Sequence, residues 1–279
     1  MKSQLLSFPT VDNEIITIDY YQPRFDNEVP ILIILHGFKG FKNWGFFPFT
    51  SDYFRNNGFA TFTLNFSLNG VTDSIGDLFD NDKFSKNTLS RELDEVGFVL
   101  DWLVNTGIEI LNIPWNKKVF LLGHSRGGGI AALANASLSQ ITSSVHWASV
   151  GKFGRTTQRQ NLLWKENGKL DIPNSRTGQI LSQNYSYLED IHNNSDRLSI
   201  KNAVEQTTKP MLFIHGSEDL VIKPQEVSIL PELNSSKIVF YKEIKQTGHT
   251  FSVVHPMIEI PSVFQELLST SLMFFNKDL

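Results

Sequence analysis

Ser125 stands in Gly123-His124-Ser125-Arg126-Gly127, directly after the apolar run Val119-Phe120-Leu121-Leu122 and directly before a segment of helical period. Raised on a tight strand-to-helix turn, a serine hydroxyl is exposed to an incoming carbonyl. The first N–H groups of the helix then face the negative charge that its attack creates. The flanking glycines answer a steric demand, because a side chain at 123 or 127 would meet neighbouring backbone in so sharp a turn. The plain alternative is a glycine-rich turn whose serine only caps a helix. What separates the two is a base, and an acid to orient that base.

Both have candidates in the required order. Met211-Leu212-Phe213-Ile214-His215-Gly216-Ser217-Glu218-Asp219 reads as a strand followed by a turn that ends in a carboxylate, and Thr247-Gly248-His249 follows the strand that ends near Ile244. Serine, aspartate, histidine, each at the carboxyl end of a strand, is the chain order that acyl transfer on a parallel sheet uses. Asp219 is the expected acid, with Glu218 its nearest rival. His249 is the expected base; His255, followed by Pro256 and farther from the strand end, is read as structural. Oxyanion donors are expected from the backbone N–H groups of Phe38 and Arg126, at about 3 kcal/mol per donor. Phe38 lies in Leu35-His36-Gly37-Phe38-Lys39-Gly40, where Gly37 lets the backbone approach a carbonyl and His36 is expected to be buried and hydrogen-bonded.

The wall of a pocket is sought among aromatic side chains, of which Phe alone numbers 22. Phe41, in the aromatic-rich stretch Phe38–Phe49, is one candidate, against the alternative that most of these rings pack the loop onto the body. Trp147, Phe153, Trp164 and Tyr185 are further wall candidates, with Asn65 and Asn69 as candidate polar contacts.

The elements that must carry these residues follow from the pattern. Short runs rich in β-branched and aromatic residues mark strands at Glu14–Tyr21, Val29–Leu35, Ala60–Phe66, Lys118–Leu122, Ser144–Ser149, Met211–His215 and Ile238–Ile244. Several are apolar throughout, as strands covered on both faces are. Segments of helical period alternate with them: Asn87–Asn105, one starting at Ser125, and Ser262–Phe275. The alternation predicts an α/β fold with a mostly parallel central sheet flanked by helices. About Gly151 to Thr208 the rhythm breaks into a stretch rich in Asn, Gln, Ser, Lys and Arg, which predicts short helices forming a small cap insertion on a single domain of 279 residues.

Composition excludes much else. With no cysteine there is no disulfide, thiolate metal site or cysteine nucleophile. The 25 basic and 29 acidic side chains leave a net charge of −4, no electrostatic footprint for nucleic acid. The first residues do not read as a signal peptide, and the longest purely aliphatic run, Ile31 to Leu35, is far short of the roughly 20 residues of a membrane span. The expectation is a cytoplasmic protein without membrane insertion, a monomer or homodimer, needing no metal or organic cofactor, since the histidines show no metal-ligand spacing.

The motifs at 36–40, 123–128, 215–219 and 248–249 together resemble those of the α/β-hydrolase superfamily, and within it the small esterases of the cinnamoyl/feruloyl esterase and dienelactone-hydrolase-like group. That resemblance implies a nucleophile at Ser125, a base at His249, an acid at Asp219, oxyanion donors at Phe38 and Arg126, and a cap after the sixth strand. Many of those esterases carry glutamine where this chain has Arg126. The implied activity is hydrolysis of carboxylic esters of small apolar or aromatic acyl groups through an acyl-enzyme. A serine peptidase or amidase of the same fold, and a non-hydrolytic ligand sensor, are the alternatives.

Overall fold

A computed structural model describes residues 3–24, 27–72, 76 and 78–279. Its strands are β1 (Gln4–Pro9), β2 (Ile15–Tyr21), β3 (Val29–Leu35), β4 (Ala60–Asn65), β5 (Trp115–His124), β6 (Ser143–Trp147), β7 (Lys169–Pro173), β8 (Ile180–Asn184), β9 (Met211–Gly216) and β10 (Val239–Ile244). The helices are α1 (Phe47–Asn56), α2 (Asn81–Lys86), α3 (Leu89–Trp102), α4 (Ile108–Ile110), α5 (Arg126–Ser137), α6 (Gln158–Asn167), α7 (Ser186–Asn193), α8 (Ile200–Gln206), α9 (Gln225–Ser228), α10 (Leu230–Leu233) and α11 (Ser262–Phe275).

Eight strands form one sheet in the order β1-β2-β4-β3-β5-β6-β9-β10; β2 runs antiparallel to both β1 and β4, and the remaining pairs are parallel. Alternation along the strands feeds two cores. Ile31, Ile33 and Leu35 of β3, with Val119 and Leu121 of β5, face α3, α5 and α8, whereas Leu32 and Ile34, with Phe120 and Leu122, face the phenylalanines of α1 and α11. Each such side chain, fully buried, contributes about 1.5–3 kcal/mol. The chain leaves β3 for β4 on one side and returns to β5 on the other. The crossovers therefore diverge between β3 and β5, and a crevice opens beyond the carboxyl ends of those strands.

Local chemistry sets the helix ends. Thr88 caps α3 by accepting from the Arg91 N–H, and Thr157 and Gln160 form a reciprocal capping box on α6, which ends at Gly168 with φ of +71°. Three features depart from the sequence expectation. β1 lies outside the strands that the sequence pattern marks; it is an edge strand that sinks only Leu6 and Phe8 partly into the core, so its alternation is faint. α3 stops at Trp102 and continues as a π-helical turn, Leu103–Gly107. The segment between β6 and β9 holds the expected short helices α6, α7 and α8 but also an antiparallel hairpin, β7–β8. Its five-residue strands are too short for their alternation to stand out from the polar residues around them.

Candidate active site

Ser125 lies between β5 and α5 with φ 56° and ψ −119°, a conformation that costs a non-glycine residue on the order of 1–3 kcal/mol. It is held there by its own N–H, which donates to the Trp147 carbonyl at 2.9 Å. A Cβ on Gly123 would fall 2.2 Å from the Gly127 carbonyl oxygen, and one on Gly127 would fall 2.4 Å from the His36 carbonyl oxygen just past the end of β3.

Asp219 and His249 reach this serine from the turns after β9 and β10. His249 Nε2 is 3.0 Å from Ser125 Oγ, and His249 Nδ1 is 2.8 Å from Asp219 Oδ2. The Asp219 carboxylate is buried and receives donors on both oxygens: the Val221 and Ile222 N–H groups on Oδ1 at 2.8 and 2.9 Å, and on Oδ2 His249 together with His215 Nε2 at 3.1 Å, whose N–H is shared with the Ile222 carbonyl at 2.9 Å. Burial works to raise this carboxyl. The hydrogen bonds from His215 and His249 outweigh it, so the group lies well below the usual carboxylate range. With Nδ1 donating to Asp219, the His249 ring presents Nε2 as an acceptor to the Ser125 hydroxyl. Glu218 makes no such contact with His249; its N–H donates to Thr247.

His215 and His124 are the residues that sequence reasoning missed. Both belong to motifs, but nothing in their spacing says that His215 Nε2 lies against Asp219 or that His124 Nε2 donates to the His249 carbonyl at 2.9 Å. His124 is buried, and burial lowers its pKa to about 3, so it stays neutral. His36 is buried too, its Nδ1 2.9 Å from the Gly37 carbonyl and its pKa lowered to about 4 by burial. His255 accepts from the Gly45 N–H and packs on Phe41 and Trp44, away from Ser125.

Phe38 follows β3 on the loop beside the serine: a Cβ on Gly37 would stand 2.9 Å from Ser125 Cβ. Arg126 opens α5, where the first N–H groups have no acceptor within the helix. Its side chain is buried at the wall of the site. Nη2 donates to Glu92 Oε1 at 2.5 Å, and burial pushes that carboxyl up against the pull of the guanidinium.

Two cavities meet at Ser125. The larger, about 290 Å³, is lined by Arg126, by Leu170 and Ile172 of the unexpected hairpin, and by Trp164, Tyr187 and Leu188. The smaller, about 140 Å³, is bounded by Trp44, Phe47, His124 and His249. Phe38 borders both. Trp164 is thus on a cavity wall, anchored by its indole N–H on the Gln183 carbonyl. Phe41 and Trp147 are not. Phe41 is buried against His255 and the Arg176 guanidinium, and Trp147, fully buried, packs on Phe46 and Phe264 with its indole N–H donated to Ser271. Strand alternation turns Trp147 onto the aromatic core behind the sheet. Of the other wall candidates, Phe153 lines the larger cavity and Tyr185 does not. Asn65 accepts from the Lys42 N–H and Asn69 from the Val71 N–H, so both carbonyls serve the loops. Among the described residues no group of three or more His, Asp or Glu is placed to hold a metal ion, and no helix is long and apolar enough to cross a membrane.

No family model matches the sequence, and no curated protein matches it. Solved structures do. Est1E from Butyrivibrio proteoclasticus with ferulic acid bound superposes with a TM-score of 0.73 at 18% identity, covering 98% of each chain. DcsB in complex with its substrate analogue gives 0.74 at 17% over the whole of both chains. A soluble variant of monoglyceride lipase from Saccharomyces cerevisiae, also with a substrate analogue, gives 0.72 at 16% over 100% of this chain and 96% of the other. At such identities the likeness is one of architecture: the chain has the α/β-hydrolase fold.

Proposed function

We propose that the protein is a serine carboxylesterase in which Ser125 is the nucleophile, His249 the general base and Asp219 the acid that orients it. The observation that carries this reading is the unbroken hydrogen-bonded line from Asp219 through His249 to Ser125, which ends on a strained serine where two cavities meet.

In this mechanism Ser125 Oγ attacks the ester carbonyl while its proton passes to His249 Nε2, and Asp219 stabilises the imidazolium. The oxyanion is received by the N–H groups of Phe38 and Arg126. His249 then protonates the leaving alcohol, and water deacylates the enzyme by the reverse use of the same base. That proton transfer gives the two cavities distinct tasks. The alcohol oxygen must depart beside His249, which borders only the smaller cavity, so the larger and mostly apolar one takes the acyl group. An acyl group of medium size, apolar or aromatic, on a small alcohol is the best fit, and a neighbour that holds ferulic acid is in keeping with it.

The test is hydrolysis of p-nitrophenyl acyl esters, methyl hydroxycinnamates and aminoacyl anilides by the wild type and Ser125→Ala. Ester turnover that disappears in the mutant is the expected result. Anilide turnover equal to ester turnover would move the assignment to an amidase. A folded wild type inactive on the whole panel would overturn the reading in favour of a ligand sensor.

A further inference from the structure

We infer that the Arg126 side chain, anchored from behind by Glu92, is a positioning device that holds the two oxyanion donors in register by bracing the Phe38 ring. The inference rests on the proposed role of Ser125 and concerns what keeps that site in shape.

Phe38 and Arg126 are far apart in the chain and sit on different elements, yet their side chains touch: the guanidinium carbon lies 4.8 Å from the centroid of the Phe38 ring. Phe84 packs on the same ring at 5.4 Å, so Phe38 has neighbours on the body as well as on the arginine. The arginine is in turn immobilised. It is 5% exposed and bonded to Glu92, itself fully buried on α3, whose Oε1 also accepts from Asn87 Nδ2 at 2.7 Å. The path runs from α3 through Glu92 and Arg126 to Phe38, and both residues at its end present their backbone N–H groups to the oxyanion. The backbone of the Phe38 loop is tied on either side of Phe38 and not at it: the Gly37 carbonyl takes the Gly40 N–H at 3.0 Å and His36 Nδ1 at 2.9 Å, Lys39, with a positive φ of 56°, reaches the Pro173 carbonyl through Nζ at 3.2 Å, and the Phe38 ring rests on Arg126 and Phe84.

Stability alone does not account for this pair. A buried ion pair desolvates two charges and is often no better for the fold than apolar side chains of the same volume. A planar guanidinium does offer what an aliphatic side chain does not, a flat face fixed in orientation by its own ion pair, against which an aromatic ring keeps one position.

The test separates oxyanion geometry from cavity wall. Arg126→Gln, Phe38→Leu and their double variant are assayed on p-nitrophenyl butyrate, with binding of a trifluoromethyl ketone, which forms a tetrahedral oxyanion on Ser125, set against the matching methyl ketone, which stays planar. The expected loss in kcat is on the order of 10-fold, below the 10²–10³ of deleting a donor outright. Fluoroketone affinity should fall by the same factor, with KM and methyl ketone affinity unchanged. The double variant should lose no more than either single one, because both remove the same contact. Glu92→Gln/Arg126→Gln leaves no lone buried charge and carries the same prediction if a single variant does not fold. Losses confined to KM and to both ketones equally would make Arg126 a wall of the acyl cavity and overturn the brace; unchanged kinetics would overturn it too. A wild type inactive on esters would instead show that the reading of Ser125 had failed, and the brace with it.

Discussion

The two cavities on either side of Ser125 are built from different parts of the chain. The smaller is enclosed by the turns that the sheet itself requires, after β3, β5 and β10, together with the start of α1. The larger is roofed largely by the segment between β6 and β9, through Trp164, Leu170, Ile172, Gln183, Tyr187 and Leu188. One cavity is therefore fixed by the turns that position His249, whereas the other is shaped by the segment between β6 and β9, which supplies neither Ser125, His249 nor Asp219. Under the proposed assignment of the acyl group to the larger cavity, acyl preference would be free to vary without disturbing the chemistry, and alcohol preference would not.

That contrast can be broken in graded steps. Asp219→Asn disables both cavities at once: kcat should fall on the order of 10⁴-fold for every ester on a panel, with KM little changed. Filling the larger cavity with Leu170→Trp should cut kcat/KM for hydroxycinnamoyl or octanoyl esters by roughly 100-fold while acetyl esters stay within about threefold; equal losses on both would mean that the cavity does not hold the acyl chain. Opening the smaller one with Trp44→Ala should raise the butyl-to-methyl ester ratio by roughly tenfold without altering the acyl ranking. Trp147→Phe should leave both profiles intact and destabilise the protein by about 1–3 kcal/mol in a urea titration, through the hydrogen bond lost to Ser271, whose hydroxyl keeps only its bond to the Leu267 carbonyl, and the lost ring volume.

A last and smaller effect distinguishes histidines that face the site from those that do not. His36 and His146 have pKa values lowered to about 4 by burial. Between about pH 4 and 6.5 the unfolded chain binds protons that the native one refuses, so stability should rise with pH across that window. His146, with Nδ1 on the Gly128 carbonyl and Nε2 on Ser144, contributes to this without touching either cavity. His146→Gln should flatten the dependence of Tm on pH and leave the pH profile of kcat as it was.

Much of this was legible in the chain. Strands buried on both faces, such as β3 and β9, stand out as apolar runs, and the bounds of β3 agree to the residue. The positions of Ser125, Asp219 and His249 could be read because strand ends, glycines and chain order restrict them together. What could not be read depends on side-chain direction. Trp147 and Trp164 look alike in sequence, but one falls on the far face of a strand and the other on a helix that the hairpin turns inwards. Phe41 is drawn off by His255, and no periodicity announces a partner so distant in the chain. The hairpin itself, the main surprise, consists of two strands at the shortest length that alternation can mark.

The hydrogen bond between His249 and Ser125 joins positions 124 residues apart, and the strand that presents His249 is the last in the chain and lies at the edge of the sheet. A chain emerging from the ribosome therefore holds the segment that forms the Ser125 turn long before it holds His249, the residue that pairs with it. Contacts this distant also form late when a chain folds, because the entropy of closing a long loop must be met first. Hydrolysis is for that reason a late reporter. In a refolding experiment, recovered activity would time the docking of β10 on β9.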